Sequence, residues 1–275
     1  CFCMTVFGIG TYAFAWSIGV SGYEKPQQAM DAIAFVKRSA GLGVNLVQIA
    51  DNIPLHEMTE VELHALENEA KQSGIAIEVG TRGIAPQHLR RYLQLAQRFA
   101  SPILRVVVDT DEHHPDVPEI IDTLKTLMPE FEDAGVTLAI ENHDRLKAKT
   151  LAEIIQALDS KYAGICLDTV NSFGALEGPD VVIDTLGPFV VNLHVKDFTI
   201  ARLSHNMGFE LTGSPAGQGM LDVLSLMGRL EDSGRAFNAI LEVWTPYTDN
   251  VEDTIKKEVA WVEQSITYLK EVISS

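Results

Sequence analysis

Short, nearly continuous apolar runs alternate along the chain with longer stretches in which apolar residues recur at helical spacing. Runs of about five or six residues that are rich in β-branched side chains and lack polar alternation are typical of parallel strands covered on both faces. Eight such runs predict strands at Val6–Thr11, Val44–Ile49, Ala76–Gly80, Ile103–Val108, Thr137–Glu141, Gly164–Asp168, Val190–Val195 and Ala239–Val243. The pattern indicates a parallel sheet with helices packed against it.

The amphipathic stretches between these runs predict helices, several with proline near the start and glycine just past the end, as helices prefer. The helices are predicted at Pro26–Ala40, Glu57–Ser73, Pro86–Ala100, Val117–Ala134, Thr150–Leu158, Pro179–Leu186, Met220–Ser233 and Val251–Ile273. Strict alternation of strands and helices within 275 residues predicts a single (β/α)8 TIM barrel over residues 1–275. A doubly wound open sheet is the alternative. The longer connections at 12–25, 109–117 and 199–219 are expected to carry substrate-binding loops.

The charge of the chain bears on its partners. It has 38 acidic and 21 basic residues, a formal charge of −17. Such acidity disfavours a protein that binds the phosphate backbone of nucleic acids and favours an enzyme with a small-molecule substrate. No apolar run is long enough to predict a membrane span, and no basic-then-apolar leader is found. The chain has no disulfide framework, since its cysteines are Cys1, Cys3 and Cys166, and we therefore expect a reduced cytoplasmic protein. A homo-oligomer is compatible with the sequence.

Four consecutive predicted strands carry polar residues at their carboxyl ends: Glu141, Asp168, His194 and Glu242. In a (β/α)8 barrel the active site forms at this rim. Three carboxylates converging without a cation would repel one another, and a divalent ion would offset that repulsion. The sequence therefore predicts a site for one metal ion. Its oxygen-rich ligands suit Mn²⁺ or Mg²⁺ best and also admit Zn²⁺ or Co²⁺.

Further polar and aromatic residues near the strand ends are candidates for binding a carbohydrate substrate. His143 shares a face with Glu141 and is expected to orient a substrate hydroxyl or a metal carboxylate. Lys196 shares a face with His194 and either pairs with a carboxylate as part of the structure, binds a substrate carboxylate or relays a proton. Gln48, near the end of the second predicted strand, offers a partner for a substrate hydroxyl.

Trp16 and Trp244, just past the first and last strands, suit the C–H faces of a sugar. Two further features are open at this stage. Arg105 lies inside the fourth predicted strand and requires a buried carboxylate partner. The glycine-rich run Gly213–Gly219 looks like a phosphate cradle, although it lacks the residues of a P-loop and also fits a structural turn.

The segments Ile140–His143, Cys166–Ser172, His194–Phe198 and Leu241–Trp244 together resemble the xylose-isomerase-like TIM-barrel superfamily. That superfamily holds sugar isomerases and epimerases, dehydratases and endonuclease IV. The resemblance covers nearly the whole chain in element order. It implies that the four strand-end residues bind one divalent ion and that the two glutamates among them also move a substrate proton.

Two departures from the ketose 3-epimerase pattern bear on the reaction. Asn171 stands where those enzymes usually carry a substrate-binding histidine and is itself expected to bind substrate, and the run 196–198 replaces an expected arginine. The first hypothesis is an isomerase or epimerase of a small sugar in which Glu141 and Glu242 exchange a proton through a metal-stabilised enediolate. The alternative is a decarboxylase or dehydratase of an oxo sugar acid. A non-catalytic, metal-stabilised binding protein is the third.

Overall fold

The computed structural model describes residues 5–273, in which eight parallel strands form a closed barrel surrounded by helices. Cys1 and Cys3 lie outside the described residues. The strands of this part of the chain are β1 (Phe7–Gly10), β2 (Leu46–Ile49), β3 (Ala76–Arg82), β4 (Ile103–Val107), β5 (Thr137–Glu141), β6 (Ala163–Asp168), β7 (Val190–Val195), β8 (Asp197–Arg202), β9 (Phe209–Ser214) and β10 (Asn238–Leu241). The predicted (β/α)8 barrel is confirmed.

Closure of the sheet distinguishes the barrel from the open alternative. The strand order is β1-β10-β7-β6-β5-β4-β3-β2, and β1 pairs with both β10 and β2. Phe7 lies opposite Ala239 on one side, and Ile9 lies opposite Val47 on the other. An open sheet would leave two unpaired edges, so the doubly wound alternative is wrong.

Helices surround the barrel, and capping side chains determine where several of them begin. They are α1 (Ala15–Ile18), α2 (Ala32–Gly41), α3 (Glu60–Ser73), α4 (Pro86–Arg98), α5 (Val117–Ala134), α6 (Ala148–Leu158), α7 (Pro179–Leu186), α8 (Val223–Asp232) and α9 (Val251–Ile273). Before α3, the Thr59 hydroxyl accepts from the Glu62 amide while the Glu62 carboxylate accepts from the Thr59 amide. This reciprocal capping box explains why the helix begins three residues later than predicted.

The predicted start of the first long helix, Pro26, is wrong. The helix α2 begins at Ala32, because the Asp31 side chain accepts from the Ala34 amide at 2.8 Å and so satisfies a free donor of the first turn. The preceding residues form turns, with the Met30 amide donating to the Ser17 carbonyl at 2.8 Å. Likewise, Asp222 caps α8, which begins at Val223 and not at Met220.

The connection predicted as a loop at 199–219 contains an antiparallel hairpin of β8 and β9. It begins at Asp197, directly after Lys196, so it continues the chain from the rim where the candidate residues lie. Its pairing runs from Asp197 opposite Ser214 to Arg202 opposite Phe209. Residues of this hairpin are exposed, Phe209 by 63%. The hairpin was not predicted because it lacks the continuous apolar run that predicted the barrel strands.

The main apolar core lies between the barrel strands and the helices, where Tyr92, Phe35 and Leu66 are fully buried. A smaller apolar group of Ile103, Ala139 and Cys166 forms a separate cluster. Cys166 is a buried free thiol. Among the helices of the described residues, none is both long and apolar enough to cross a membrane.

Candidate active site

The four strand-end residues meet at one end of the barrel. Glu141 and Asp168 are the last residues of β5 and β6, His194 lies in β7, and Glu242 directly follows β10. Each is at most 2% exposed. The Nδ1 atom of His194 lies 3.4 Å from Glu141 Oε2, 3.8 Å from Asp168 Oδ2 and 3.5 Å from Glu242 Oε2. The carboxyl ends of neighbouring parallel strands thus bring these side chains into one cluster.

The donor atoms of this cluster fit a divalent ion. One ligand atom each from Asp168, His194 and Glu242 lie within 4.8 Å of one another. Within the described part of the chain, His194 Nδ1 and Glu242 Oε1 are buried without a hydrogen-bond partner. Buried polar atoms are nearly always satisfied, so unpartnered atoms that converge on a point indicate a ligand-binding role. Carboxylate oxygens with one imidazole nitrogen are suitable ligands for such an ion.

Lys196 lies inside the same cluster. Its Nζ atom is 2.7 Å from Asp168 Oδ2 and 2.8 Å from Glu242 Oε2, and the residue is 5% exposed. Burial alone would lower the pKa of Lys196, but Asp168 and Glu242 raise it above its ordinary value. Burial alone would raise the pKa of Asp168, and Lys196 and His194 lower it. Lys196 is therefore an ammonium ion paired with two carboxylates.

Glu141 is held on both oxygens. Arg105 Nε donates to its Oε2, and Asn171 Nδ2 donates to its Oε1 at 2.8 Å. Burial opposes ionisation of Glu141, but Arg105 and His194 lower its pKa. A carboxylate that is fixed and ionised in this way is suited to ligate a cation. Asn171, expected to contact substrate, thus contacts Glu141.

The buried carboxylate partner that Arg105 requires is therefore Glu141, and Asp51 is a second one. Arg105 Nη1 donates to Asp51 Oδ1 at 2.7 Å. The Tyr12 hydroxyl donates to Asp51 Oδ2 at 2.9 Å, and Arg82 Nε lies 3.4 Å from the same oxygen. Burial favours the neutral acid, but Arg105 lowers the pKa of Asp51 to about 2. The sequence predicted a buried carboxylate partner for Arg105, because a charged residue stands inside an apolar strand, but it did not identify Glu141 and Asp51 as the partners.

Gln48 and His143, two expected substrate contacts, each have a partner within the protein. Gln48 is fully buried, with its Oε1 atom 2.7 Å from His194 Nε2, and its two amide hydrogens are donated to Glu78 and Asn192. It therefore supports His194 and has no free donor for a substrate. His143 Nδ1 lies 3.1 Å from the neighbouring Asp144 Oδ2.

The two tryptophans differ in their distance from the cluster. Trp244 is partly buried, and Lys196 Nζ lies 5.9 Å from its ring centroid. Trp16 is 9% exposed and donates from Nε1 to the Thr245 carbonyl at 2.8 Å. Its ring packs against Tyr23 and Tyr247 with centroid distances of 4.8 and 5.4 Å. Trp244 is thus directly beside the charged cluster, and Trp16 belongs to an aromatic group next to it.

A buried glutamate on the last helix anchors the segment that carries Trp16. Glu258 of α9 accepts hydrogen bonds from the Trp16 amide at 2.7 Å, the Ser17 amide at 2.9 Å and the Ser17 hydroxyl at 2.6 Å. Burial raises the pKa of Glu258 to about 7, although these donors oppose the shift. The sequence offered no sign of this role, because Glu258 stands in a helix rich in exposed acidic residues.

The glycine-rich run Gly213–Gly219 is occupied by a side chain of the protein itself. The carboxylate of Asp197 accepts hydrogen bonds at 2.8, 2.9, 2.9 and 3.0 Å. The four donors are the backbone amides of Phe198, Gly217, Gly219 and Leu221. A Cβ atom on Gly219 would lie 2.1 Å from Asp197 Oδ1, so only glycine permits this approach. The structure therefore favours the structural turn over a phosphate cradle.

Comparison with known proteins identifies the family. The sequence model of the family described as xylose isomerase-like TIM barrel matches residues 36–265, and the chain belongs to this family. The 3-oxo-isoapionate decarboxylase of Pectobacterium atrosepticum is 34% identical over 262 residues, which cover 95% of this chain and 94% of that protein. These similarities place the chain among the sugar-modifying enzymes.

Solved structures agree on the fold. A D-psicose 3-epimerase crystallised in the presence of D-fructose has a TM-score of 0.72 at 15% identity, covering 98% of this chain and 100% of that one. A xylose isomerase-like TIM barrel protein from Mycobacterium smegmatis, in complex with magnesium, has a TM-score of 0.69 at 14% identity, covering 96% and 97%. At these identities the likeness shows the fold and leaves the reaction open.

Proposed function

We propose that this protein is a divalent-metal-dependent decarboxylase of an oxo sugar acid. The observation that carries the proposal is the buried ammonium of Lys196, 2.7 and 2.8 Å from Asp168 and Glu242. A cation inside the ligand cluster suits a substrate with a carboxylate, whereas a neutral ketose offers it no anionic partner. The 34% identity to a decarboxylase of an oxo sugar acid over 95% of the chain supports the same reaction class.

The four strand-end residues would hold one divalent ion, and their oxygen-rich set favours Mn²⁺ or Mg²⁺ over Zn²⁺ or Co²⁺. Such an ion would supply Lewis-acid chemistry, offsetting negative charge on the oxo group of the substrate. Glu141 takes part as a ligand only, since Arg105 and Asn171 hold both of its oxygens. The proton-transfer role first expected of Glu141 is not required for decarboxylation.

Lys196 would act on the carbon that loses CO₂. The bond between this carbon and the carboxylate breaks, and its electron pair moves into the neighbouring oxo group to give the enolate. Because the carboxylate is bonded to this carbon, an ammonium that pairs with the carboxylate also lies near the carbon. Lys196 then gives its proton to the carbon, and solvent restores it, so that one acid anion and one proton yield a ketone and CO₂.

The remaining substrate contacts are proposed from position. Trp244, whose ring centroid lies 5.9 Å from Lys196 Nζ, would pack on the C–H face of the substrate. Trp16, with its neighbours Tyr23 and Tyr247, would extend this aromatic surface. His143, Gln48 and Asn171 have partners within the protein, so a hydroxyl contact by any of them stays a prediction.

An isomerase or epimerase of a small sugar is the second candidate. The buried Oε1 atom of Glu242, which has no hydrogen-bond partner within residues 5–273, is the observation that favours it. An unoccupied carboxylate oxygen can accept a proton from a carbon next to a carbonyl group. In that case Glu242 would be the single base that removes the proton from the carbon on its face of the substrate.

One labelling experiment separates the two candidates. The purified protein with Mn²⁺ is incubated in D₂O with a panel of 3-oxo sugar acids and a panel of ketoses. The proposal predicts CO₂ release from the acids and one deuterium on the carbon that lost it, with Lys196→Met strongly impaired. Deuterium exchange into ketoses without loss of carbon would contradict it and support the epimerase. Tight binding of an acid without turnover would support a binding protein.

A further inference from the structure

A further buried carboxyl group, that of Glu78, is linked to His194 through Gln48, and the proposed reaction does not use it. Glu78 of β3 is fully buried and lies opposite Gln48 in the β2–β3 register. Three side-chain amides donate to it: Gln48 Nε2 and Asn192 Nδ2 to Oε2 at 3.0 Å each, and Asn238 Nδ2 to Oε1 at 2.6 Å. Burial raises the pKa of Glu78, and these three amide donors oppose that shift.

This carboxylate fixes the direction of the Gln48 amide. Gln48 Nε2 donates one hydrogen to Glu78 Oε2 and the other to Asn192 Oδ1, both at 3.0 Å. The reverse orientation would place the Gln48 carbonyl against Asn192 Oδ1 and against Glu78 Oε2, which already accepts from Asn192, so acceptors would face one another. The Gln48 carbonyl oxygen is therefore the atom that faces His194 Nε2, at 2.7 Å.

The direction of the Gln48 amide in turn determines the proton position on His194. A carbonyl oxygen can only accept, so in the neutral imidazole that ligates a metal ion the hydrogen must be on His194 Nε2. The lone pair then resides on Nδ1, the atom that lies 3.4 to 3.8 Å from oxygens of Glu141, Asp168 and Glu242. The opposite tautomer would direct an N–H group into the candidate metal site and could not ligate.

We propose that Glu78 is a positioning residue for the metal centre, acting through Gln48 to hold His194 as the tautomer whose Nδ1 atom binds the ion. The chain Glu78–Gln48–His194 joins three fully buried residues of β3, β2 and β7. It rests on the metal site of the proposed function and is independent of whether the reaction is a decarboxylation.

The test measures Mn²⁺ affinity by titration calorimetry for four proteins. Glu78→Leu should weaken binding by about 10- to 100-fold, the usual effect of losing a partner behind a metal ligand. Glu78→Gln should bind within about 3-fold of the unchanged protein, because its amide oxygen can still accept from Gln48. Asn238→Ala is the matched control: it removes a donor from the other oxygen of the same carboxylate and should leave affinity nearly unchanged.

A spectroscopic measurement on the Mg²⁺-loaded proteins accompanies the titrations. The ¹⁵N-edited signal of the His194 Nε2–H group should be present and slow to exchange in the unchanged protein, Glu78→Gln and Asn238→Ala, and lost in Glu78→Leu. If Glu78→Leu does not fold, Glu78→Met, which has a similar side-chain length and also lacks an acceptor oxygen, provides the same comparison. Equal affinities for Glu78→Leu and Asn238→Ala would overturn the role of Glu78. Absence of Mn²⁺ binding by the unchanged protein would instead overturn the metal site itself.

Discussion

Two buried carboxylates near the ends of adjacent barrel strands have opposite surroundings. Asp197, two residues beyond β7, accepts hydrogen bonds from four backbone amides. Glu242, directly after β10, has one oxygen without a hydrogen-bond partner in the described residues and the other 2.8 Å from Lys196 Nζ. A saturated carboxylate holds the chain in place, whereas an unsaturated buried one is unfavourable for folding and is typical of a binding site.

Glu242→Gln should produce the largest effect, a loss of turnover of about 10³-fold, because a ligand charge next to the reacting group is removed. The free energy of unfolding should change by only about 1 kcal/mol, since Lys196 keeps its ion pair with Asp168. Steady-state rates with Mn²⁺ and chemical denaturation measure the two quantities. A large loss of stability with preserved turnover would mean that Glu242 is structural, as Asp197 is.

Asp197→Asn should give the reverse result. The variant amide group replaces an acceptor with a donor that faces backbone N–H groups, so unfolding should become easier by about 3 kcal/mol. Mn²⁺ affinity of the folded protein should stay within about 2-fold of the original, well below the roughly 10-fold change expected when a partner of a metal ligand is lost. Urea unfolding and calorimetry at a temperature where the variant is folded test both parts. If Asp197→Asn lost Mn²⁺ affinity while its free energy of unfolding stayed unchanged, Asp197 would not be the structural carboxylate that the comparison with Glu242 requires.

Lys196→Met should lower decarboxylation by about 10²-fold, the usual contribution of a general acid, without weakening Mn²⁺ binding. The methionine removes a cation that competes with the metal for Asp168 and Glu242 and keeps most of the side-chain volume. Lys149→Met, at an 85% exposed lysine, is the matched control and should be indistinguishable from the unchanged protein. Unaltered CO₂ release by Lys196→Met would exclude Lys196 as the proton donor.

Glu258 extends the comparison to a carboxylate that has hydrogen bonds but no cation. Its folded pKa of about 7 lies above the ordinary 4.5, so its contribution to stability is fully present below pH 4.5 and is lost as the pH rises through 7. Between pH 5 and pH 8 the unchanged protein should lose about 2 kcal/mol relative to Glu258→Gln, which stays neutral. Parallel denaturation curves at the two pH values measure this, and a constant difference would show that Glu258 remains ionised throughout.

Much of the fold could be predicted because it follows from local pattern. Each predicted barrel strand is found with its bounds shifted by at most two residues, since a strand buried on both faces must be apolar throughout. Helix starts were less accurate, because Asp31 and Asp222 cap their helices more strongly than the preceding residues suggest. The hairpin at 197–214 was missed because its exposed residues carry no burial signal.

The candidate cluster could be predicted from the residue types at the strand ends. In a (β/α)8 barrel the carboxyl ends of all strands meet at one end of the barrel, which brings Glu141, Asp168, His194 and Glu242 together. Only the tertiary structure decided what each does. Whether Glu141 is free or held by Arg105, and whether Asp197 or a ligand fills the glycine-rich turn, depends on contacts between residues distant in sequence. These long-range contacts determine how far a carboxylate is buried and whether its hydrogen-bonding capacity is filled. Those two properties distinguish a structural carboxylate from one that binds a ligand or takes part in the reaction.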